Sequence, residues 1–159
     1  MSKTKRKKSV INSIKITVPA TSRNESFCRS LAASFVSQCD PTIEEIADVK
    51  TIISEAVTNC IVHAYKNENN EKNKQIYITC TLFDDNTFKC TVKDKGCGIP
   101  NLEKAMEPLF TTDAENERSG MGLPIMKTFS DTLRVTTKAG EGTKVIFTKK
   151  IGATNGSEN

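Results

Sequence analysis

Ile43, Ile46, Val49, Ile53, Val57 and Ile61 recur every three or four residues, a spacing that only an α-helix gathers on one face. A stripe of this length needs another layer to cover it, so the architecture is built around one long helix ending near Tyr65. Asp40-Pro41 reads as its N-cap and first helical residue. Glu55, Asn59 and His63 stand at i, i+4 and i+8 on the same helix and share one face. Two readings of that polar stripe are open. It is a solvated face, or it is a site where a carboxylate takes a proton and an amide oxygen ligates magnesium.

The covering layer is legible as strands. Ile14, Ile16 and Val18 alternate with polar residues up to Pro19. Ile76, Ile78, Cys80 and Leu82 alternate, turn at Asp84-Asp85-Asn86, and continue as Phe88, Cys90 and Val92. A hairpin with a tight turn there sets Cys80 opposite Cys90 on the core face, as two thiols. Arg134–Lys138 and Lys144–Lys150 read as two more strands around Gly140-Glu141-Gly142. Ser22-Arg23-Asn24-Glu25 has capping-box spacing and opens a helix carrying Phe27, Leu31, Phe35 and Val36. A short helix near Leu102–Glu107 and one from Leu123 to Asp131 complete the set, with a polar stretch over 109–120 between them. The fold class expected is α+β. One domain spans 11–151, between a basic tail at 1–10, expected to be disordered, and a polar tail at 152–159.

Charge and cysteine usage exclude several function classes. The net charge of +4 comes from Lys3, Lys5, Arg6, Lys7 and Lys8, and the rest of the chain is close to neutral. That does not resemble a nucleic-acid-binding face. No apolar run is long enough to span a membrane, and no apolar core follows the basic N-terminus, so a cytoplasmic location is expected. The six cysteines form no C-x-x-C pair and His63 is the single histidine, so metal-ligand spacing is absent. The cysteines read as free, small core residues.

Two further motifs carry ligand chemistry. Asp94 ends the second hairpin strand, and Gly96 and Gly98 allow a turn with close ligand approach. A carboxylate there accepts a hydrogen bond from an exocyclic amine such as that of adenine, although an ordinary glycine turn has the same sequence. Gly120-Met121-Gly122 leads into a helix whose amides and dipole suit phosphate, with Arg118 and Ser119 adding charge and a donor. A hinge is the alternative there. No phosphate-binding G-x-x-x-x-G-K-[ST] loop and no protein-kinase signature set occurs.

Glu55-x-x-x-Asn59, Asp94-x-Gly96-x-Gly98, Gly120-x-Gly122 and Gly142-Thr143 together resemble the N, G1, G2 and G3 boxes of the histidine-kinase-like (GHKL) ATPase superfamily. Ser54-Glu-Ala-Val-Thr-Asn59, His63-Ala-Tyr65, Pro108-Leu-Phe-Thr-Thr112 and Glu117-Arg-Ser-Gly-Met-Gly122 are similar to the anti-sigma-factor serine kinases, and most of all to their sporulation, sigma-F branch. The resemblance covers about residues 11–150. It implies a Bergerat-type α/β sandwich, with a mixed, mostly antiparallel sheet and helices packed on one face. It implies ATP and Mg2+ as ligands, Glu55 as the base that activates a substrate serine, and Asn59 on magnesium. It assigns Asp94 to adenine, Gly96, Gly98 and Thr143 to the pocket around it, and Thr111, Thr112, Arg118, Ser119, Gly120 and Gly122 to a lid around the phosphates. The implied partners are a sigma factor, held by a homodimer, and an anti-anti-sigma protein phosphorylated on serine, with no direct contact to nucleic acid or membrane. The general-stress anti-sigma-B type, a non-enzymatic ATP-dependent sigma-binding module and an ATPase acting on water are the alternatives. Lys95 departs from the family, which often has an acid or amide there, and Pro124 replaces a hydroxyl or apolar residue.

Overall fold

The computed structural model describes residues 6–108 and 122–152. In chain order the elements are β1 (Val10–Pro19), α1 (Ser22–Val36), α2 (Ile43–Asn59), β2 (Gln75–Phe83), β3 (Thr87–Lys93), α3 (Leu102–Ala105), α4 (Gly122–Phe129), β4 (Thr132–Lys138) and β5 (Gly142–Lys150). The strands make one sheet in the order β1-β2-β3-β5-β4. Every pairing among them is antiparallel, where a mixed, mostly antiparallel sheet was expected. Short turns make β2–β3 and β4–β5 antiparallel hairpins. The second hairpin docks on β3 through β5, which leaves β4 at the edge.

One face of the sheet is apolar because the pleat sends every second side chain the same way. Ile16, Ile78, Val92, Val145 and Val135 form one cross-strand row, and Ile14, Cys80, Cys90, Phe147 and Leu133 form the next. The helices lie on that face, with α2 packed between α1 and α4. Cys28, Ala32, Phe35 and Val36 of α1, Val49, Ile52, Ile53, Ala56 and Val57 of α2, and Leu123 and Met126 of α4 close the core. Phe88 joins the layers, with its ring centroid 6.2 Å from that of Phe35 and 5.8 Å from that of Phe147. Such aromatic pairs contribute about 0.5–1.5 kcal/mol beyond the area they bury. Threonines and the cations Lys15, Lys89, Lys93, Arg134 and Lys144 occupy outward positions on the other face.

The helix starts differ from the sequence expectation. Helix α2 is capped by Thr42, not Asp40: the Thr42 hydroxyl accepts from the Glu45 amide and the Glu45 carboxylate accepts from the Thr42 amide. Asp40 instead takes a left-handed turn between the two helices, with φ at 48°. Ile43 is 83% exposed, so the buried stripe of α2 begins at Val49 and includes Ile52. Helix α1 has Thr21 at its N-cap and no side-chain cap. Glu25, expected in a capping box, is engaged elsewhere: it accepts from the Ser54 hydroxyl at 2.6 Å and pairs with Arg29 at 3.5 Å. That places Arg29 in an ion pair beside α2 rather than simply in solvent.

Cys80 stands opposite Cys90 as expected, sulfur to sulfur 3.9 Å apart, and all six cysteines are thiols. Five are buried, but Cys97 is exposed, against its reading as a core residue. At the other end of the sheet, Lys8 bonds Asp85 at 2.7 Å and the Thr87 hydroxyl at 2.8 Å, tying the residues before β1 to the β2–β3 turn. No helix among the described residues is long and apolar enough to cross a membrane.

Candidate functional site

The site is built where three elements end close together. Helix α2 does not stop at Asn59; it runs on as a π-helical turn from Cys60 to Ala64. A residue inserted into a helix in this way turns the side chains that follow it, and such turns are frequent at functional sites. Glu55, Asn59 and His63 are all half-buried, so the polar stripe is neither core nor open surface. The first residue of α4 lies over it. A methyl group at Gly122 would sit 3.1 Å from Oε2 of Glu55 and 3.4 Å from both side-chain heteroatoms of Asn59. Glu55, Asn59 and Gly122 are therefore brought together, although 63 residues separate the last two in sequence.

Consecutive helical residues point about 100° apart. Asn59 faces α4, and Cys60 faces the end of β3, where its thiol donates to Oδ2 of Asp94 at 3.6 Å. Asp94 is only 4% exposed. Its Oδ1 accepts from the amides of Gly96 at 2.9 Å and Thr143 at 3.2 Å, and its own amide donates to the Thr143 carbonyl at 2.9 Å. Burial pushes the Asp94 carboxyl above the ordinary carboxylate range, and the two amides and the thiol draw it part of the way back. Burial, with the adjacent Asp94 charge, pushes the Cys60 thiol well up, so it stays a donor.

The loop after Asp94 is clamped on both sides. A methyl at Gly96 would meet the Ala64 carbonyl oxygen at 2.0 Å, so only glycine lets the loop pass the end of the π turn. The Cys97 amide then donates to the same carbonyl at 2.7 Å. On the hairpin side, Gly98 packs against the Lys138 carbonyl. The Thr137 hydroxyl accepts from the Ile99 amide at 2.8 Å and lies 3.0 Å from the Thr143 hydroxyl. Gly142, with φ at 100°, crosses the Asp94 carbonyl so closely that a methyl there would approach to 2.2 Å. Asp94, Gly96 and Thr143 thus form one hydrogen-bonded unit with Gly98 packed beside it, joined to Asn59 through Cys60. Thr111, Thr112, Arg118, Ser119 and Gly120 lie outside the described residues.

Lys95 departs from the family without bringing its charge to Asp94's carboxylate. Its amide donates to the Tyr65 hydroxyl at 3.0 Å, and its ammonium stands 4.9 Å over the Tyr77 ring on the outward face. The contact between Cys60 and Asp94 was not legible in the sequence, where Cys60 read as a filler of the core. Nor was the π turn, since its apolar spacing continues that of α2. Among the described residues no group of three histidine, cysteine or acidic side chains is placed to hold a metal by itself.

The comparisons with known proteins agree with this fold. The model of the histidine kinase-like ATPase domain matches residues 18–149. The anti-sigma F factor of Caldanaerobacter subterraneus subsp. tengcongensis is 51% identical over 142 residues, 89% of this chain and 95% of that protein. The anti-sigma F factor of Clostridium acetobutylicum is 46% identical over 140 residues, 88% of this chain and 94% of that one. Among solved structures, the RsbU and RsbW domains of a Mycobacterium tuberculosis protein share the fold, with a TM-score of 0.63 at 21% identity over 88% of this chain and 32% of that one. A helix–sheet sandwich with its motifs gathered at the end of α2, and half-identity over nine-tenths of the chain, lead to one assignment: the chain belongs to the histidine kinase-like ATPase family, on the branch of the anti-sigma F factors.

Proposed function

We propose that this chain is an anti-sigma factor that holds a sporulation sigma factor of the sigma-F kind and, with ATP, phosphorylates the anti-anti-sigma antagonist of that factor on serine. The observation that carries the reading is the seat of Gly122 on Glu55 and Asn59. It sets a helix start, a natural phosphate cradle, against one carboxylate and one amide. Phosphoryl transfer asks a protein chiefly for positioning and charge stabilisation, with one group to take the proton of the attacking hydroxyl.

Glu55 takes that proton from the serine of the antagonist. The serine oxygen then bonds to the γ-phosphorus while the bond to the β–γ bridging oxygen breaks, leaving ADP. Asn59 supplies one hard oxygen, which suits a magnesium ion that keeps its waters and is held mainly by phosphates. Bound with the nucleotide, magnesium neutralises phosphate charge. Asp94 recognises adenine: two amides occupy Oδ1, so its remaining acceptor capacity lies on Oδ2. Gly96, Gly98 and Thr143 hold that carboxylate's surroundings, and Thr111, Thr112, Arg118, Ser119, Gly120 and Gly122 form the phosphate lid. The sigma and antagonist partners are supported by about half-identity to proteins named anti-sigma F factors, and a homodimer is proposed to hold them.

The test uses the purified full-length chain, radiolabelled ATP and the anti-anti-sigma protein of the same organism. Wild type labels that protein on serine. Glu55→Ala retains nucleotide binding and loses transfer by about 10²–10⁴-fold. Undiminished transfer by Glu55→Ala removes it from the role of base. ATP-dependent retention of the sigma factor with no transfer at all would leave a binding module in place of a kinase.

A further inference from the structure

We infer that Cys60 is a positioning residue for purine recognition: its thiol holds the Asp94 carboxylate so that Oδ2 presents its remaining lone pair to the 6-amino group of the base. The inference rests on the reading of Asp94 as the group that recognises adenine. Oδ1 is fixed by the amides of Gly96 and Thr143, both on the backbone of the clamped loop and hairpin. Those two bonds secure Oδ1, and a contact on Oδ2 fixes the remaining tilt of the carboxylate plane. Cys60 provides the single side-chain donor to Oδ2 among the described residues, at 3.6 Å.

Both partners are 4% exposed, so little water competes for the contact. The Cys60 amide is already committed to the carbonyls of Ala56 and Val57, which fixes the Cα from which the thiol projects. A single donor takes one lone pair of Oδ2 and leaves the other for the incoming amine. Because Cys60 follows Asn59 directly, the same stretch of α2 sets both the phosphate side and the base side of the site.

The test compares the affinity of ATP with that of inosine triphosphate, which differs from ATP in carrying a carbonyl in place of the 6-amino group. The full chain is titrated with each nucleotide. Wild type prefers ATP. Cys60→Ala weakens ATP about threefold to tenfold and leaves inosine triphosphate unchanged, so the preference shrinks by that factor, while kcat at saturating ATP stays within about twofold. Cys60→Ser, which keeps a donor on the same Cβ, retains the greater part of the preference. Equal weakening of both nucleotides, or an unchanged preference in Cys60→Ala, assigns Cys60 to packing and overturns the inference. A wild type that does not distinguish the two nucleotides, or an Asp94→Asn variant that still does, overturns the reading of Asp94 itself.

Discussion

Gly122, the first residue of α4, stands so close to Glu55 that a methyl group on it would lie 3.1 Å from the carboxylate oxygen Oε2. This contact supports the site reading that helical spacing leaves open for the polar stripe of α2. A carboxylate at the surface of a half-buried helix has no need of a glycine across from it. A carboxylate that must meet a substrate beside a helix start does.

Gly122→Ala follows from that contact. Alanine favours a helix by about 0.5–1 kcal/mol over glycine, so thermal stability is expected to hold or rise slightly. The added methyl displaces Glu55 and Asn59 by a few tenths of an ångström, and phosphoryl transfer is expected to fall about tenfold or more. Melting temperature and transfer rate, measured on the same preparation, separate the two effects. A variant that melts early would show the contact to be structural.

Gly142→Ala is expected to act on the fold itself. The residue sits at φ 100°, and its new methyl would meet the Asp94 carbonyl at 2.2 Å, a backbone atom that cannot rotate away. A loss of about 2–4 kcal/mol in denaturant unfolding is expected. Gly140→Ala, at a position with open space around it but φ at 73°, is expected to cost about 1–2 kcal/mol and calibrates the purely conformational part.

Asp94→Asn links the site to stability and pH. Burial holds the Asp94 carboxyl above its usual range, so the folded chain binds that proton more tightly than the unfolded chain does. Stability from this group is fully present below the unfolded carboxylate pKa and is lost as pH rises through the folded value. The variant keeps an oxygen for the amides of Gly96 and Thr143 and removes the buried charge. Its urea midpoint is expected to equal or exceed that of wild type at pH 7, with wild type gaining on it as pH falls toward about 4. A variant less stable than wild type by the same margin at both pH values would contradict the assignment.

Thiol reactivity gives a separate check on burial. Cys97 is exposed and the other five cysteines are buried, with burial raising the Cys28 thiol to about 11 and the Cys90 thiol well up. A thiol-specific reagent is expected to label one cysteine rapidly in the native protein and all six after unfolding, with Cys97→Ser abolishing the rapid phase. Rapid labelling of Cys80 or Cys90 would mean that the sheet opens readily at its centre.

Periodicity alone determined much of this protein. The alternation from Ile76 to Val92 carried the hairpin and even the register that sets Cys80 against Cys90, because a strand's side chains repeat every two residues. The spacing from Val49 to Val57 carried the long helix, and the joint wording of the motifs carried the family. These are short-range signals, written in neighbouring residues. What only the tertiary structure decided depends on pairs far apart in the chain. Thr42 displaced Asp40 as helix cap, and Glu45, which closes the box with it, is also held by the amide of Gly152, 107 residues away, at 3.0 Å. Glu25 turned from its own helix end to Ser54. Cys60 found Asp94, and Gly122 found Glu55, because packing β3 and α4 against α2 brings those atoms within contact distance. Local patterns fix which face of an element is buried; the atoms that meet across that face are chosen by the packing of the whole domain, which set the start of α4 over the polar stripe of α2.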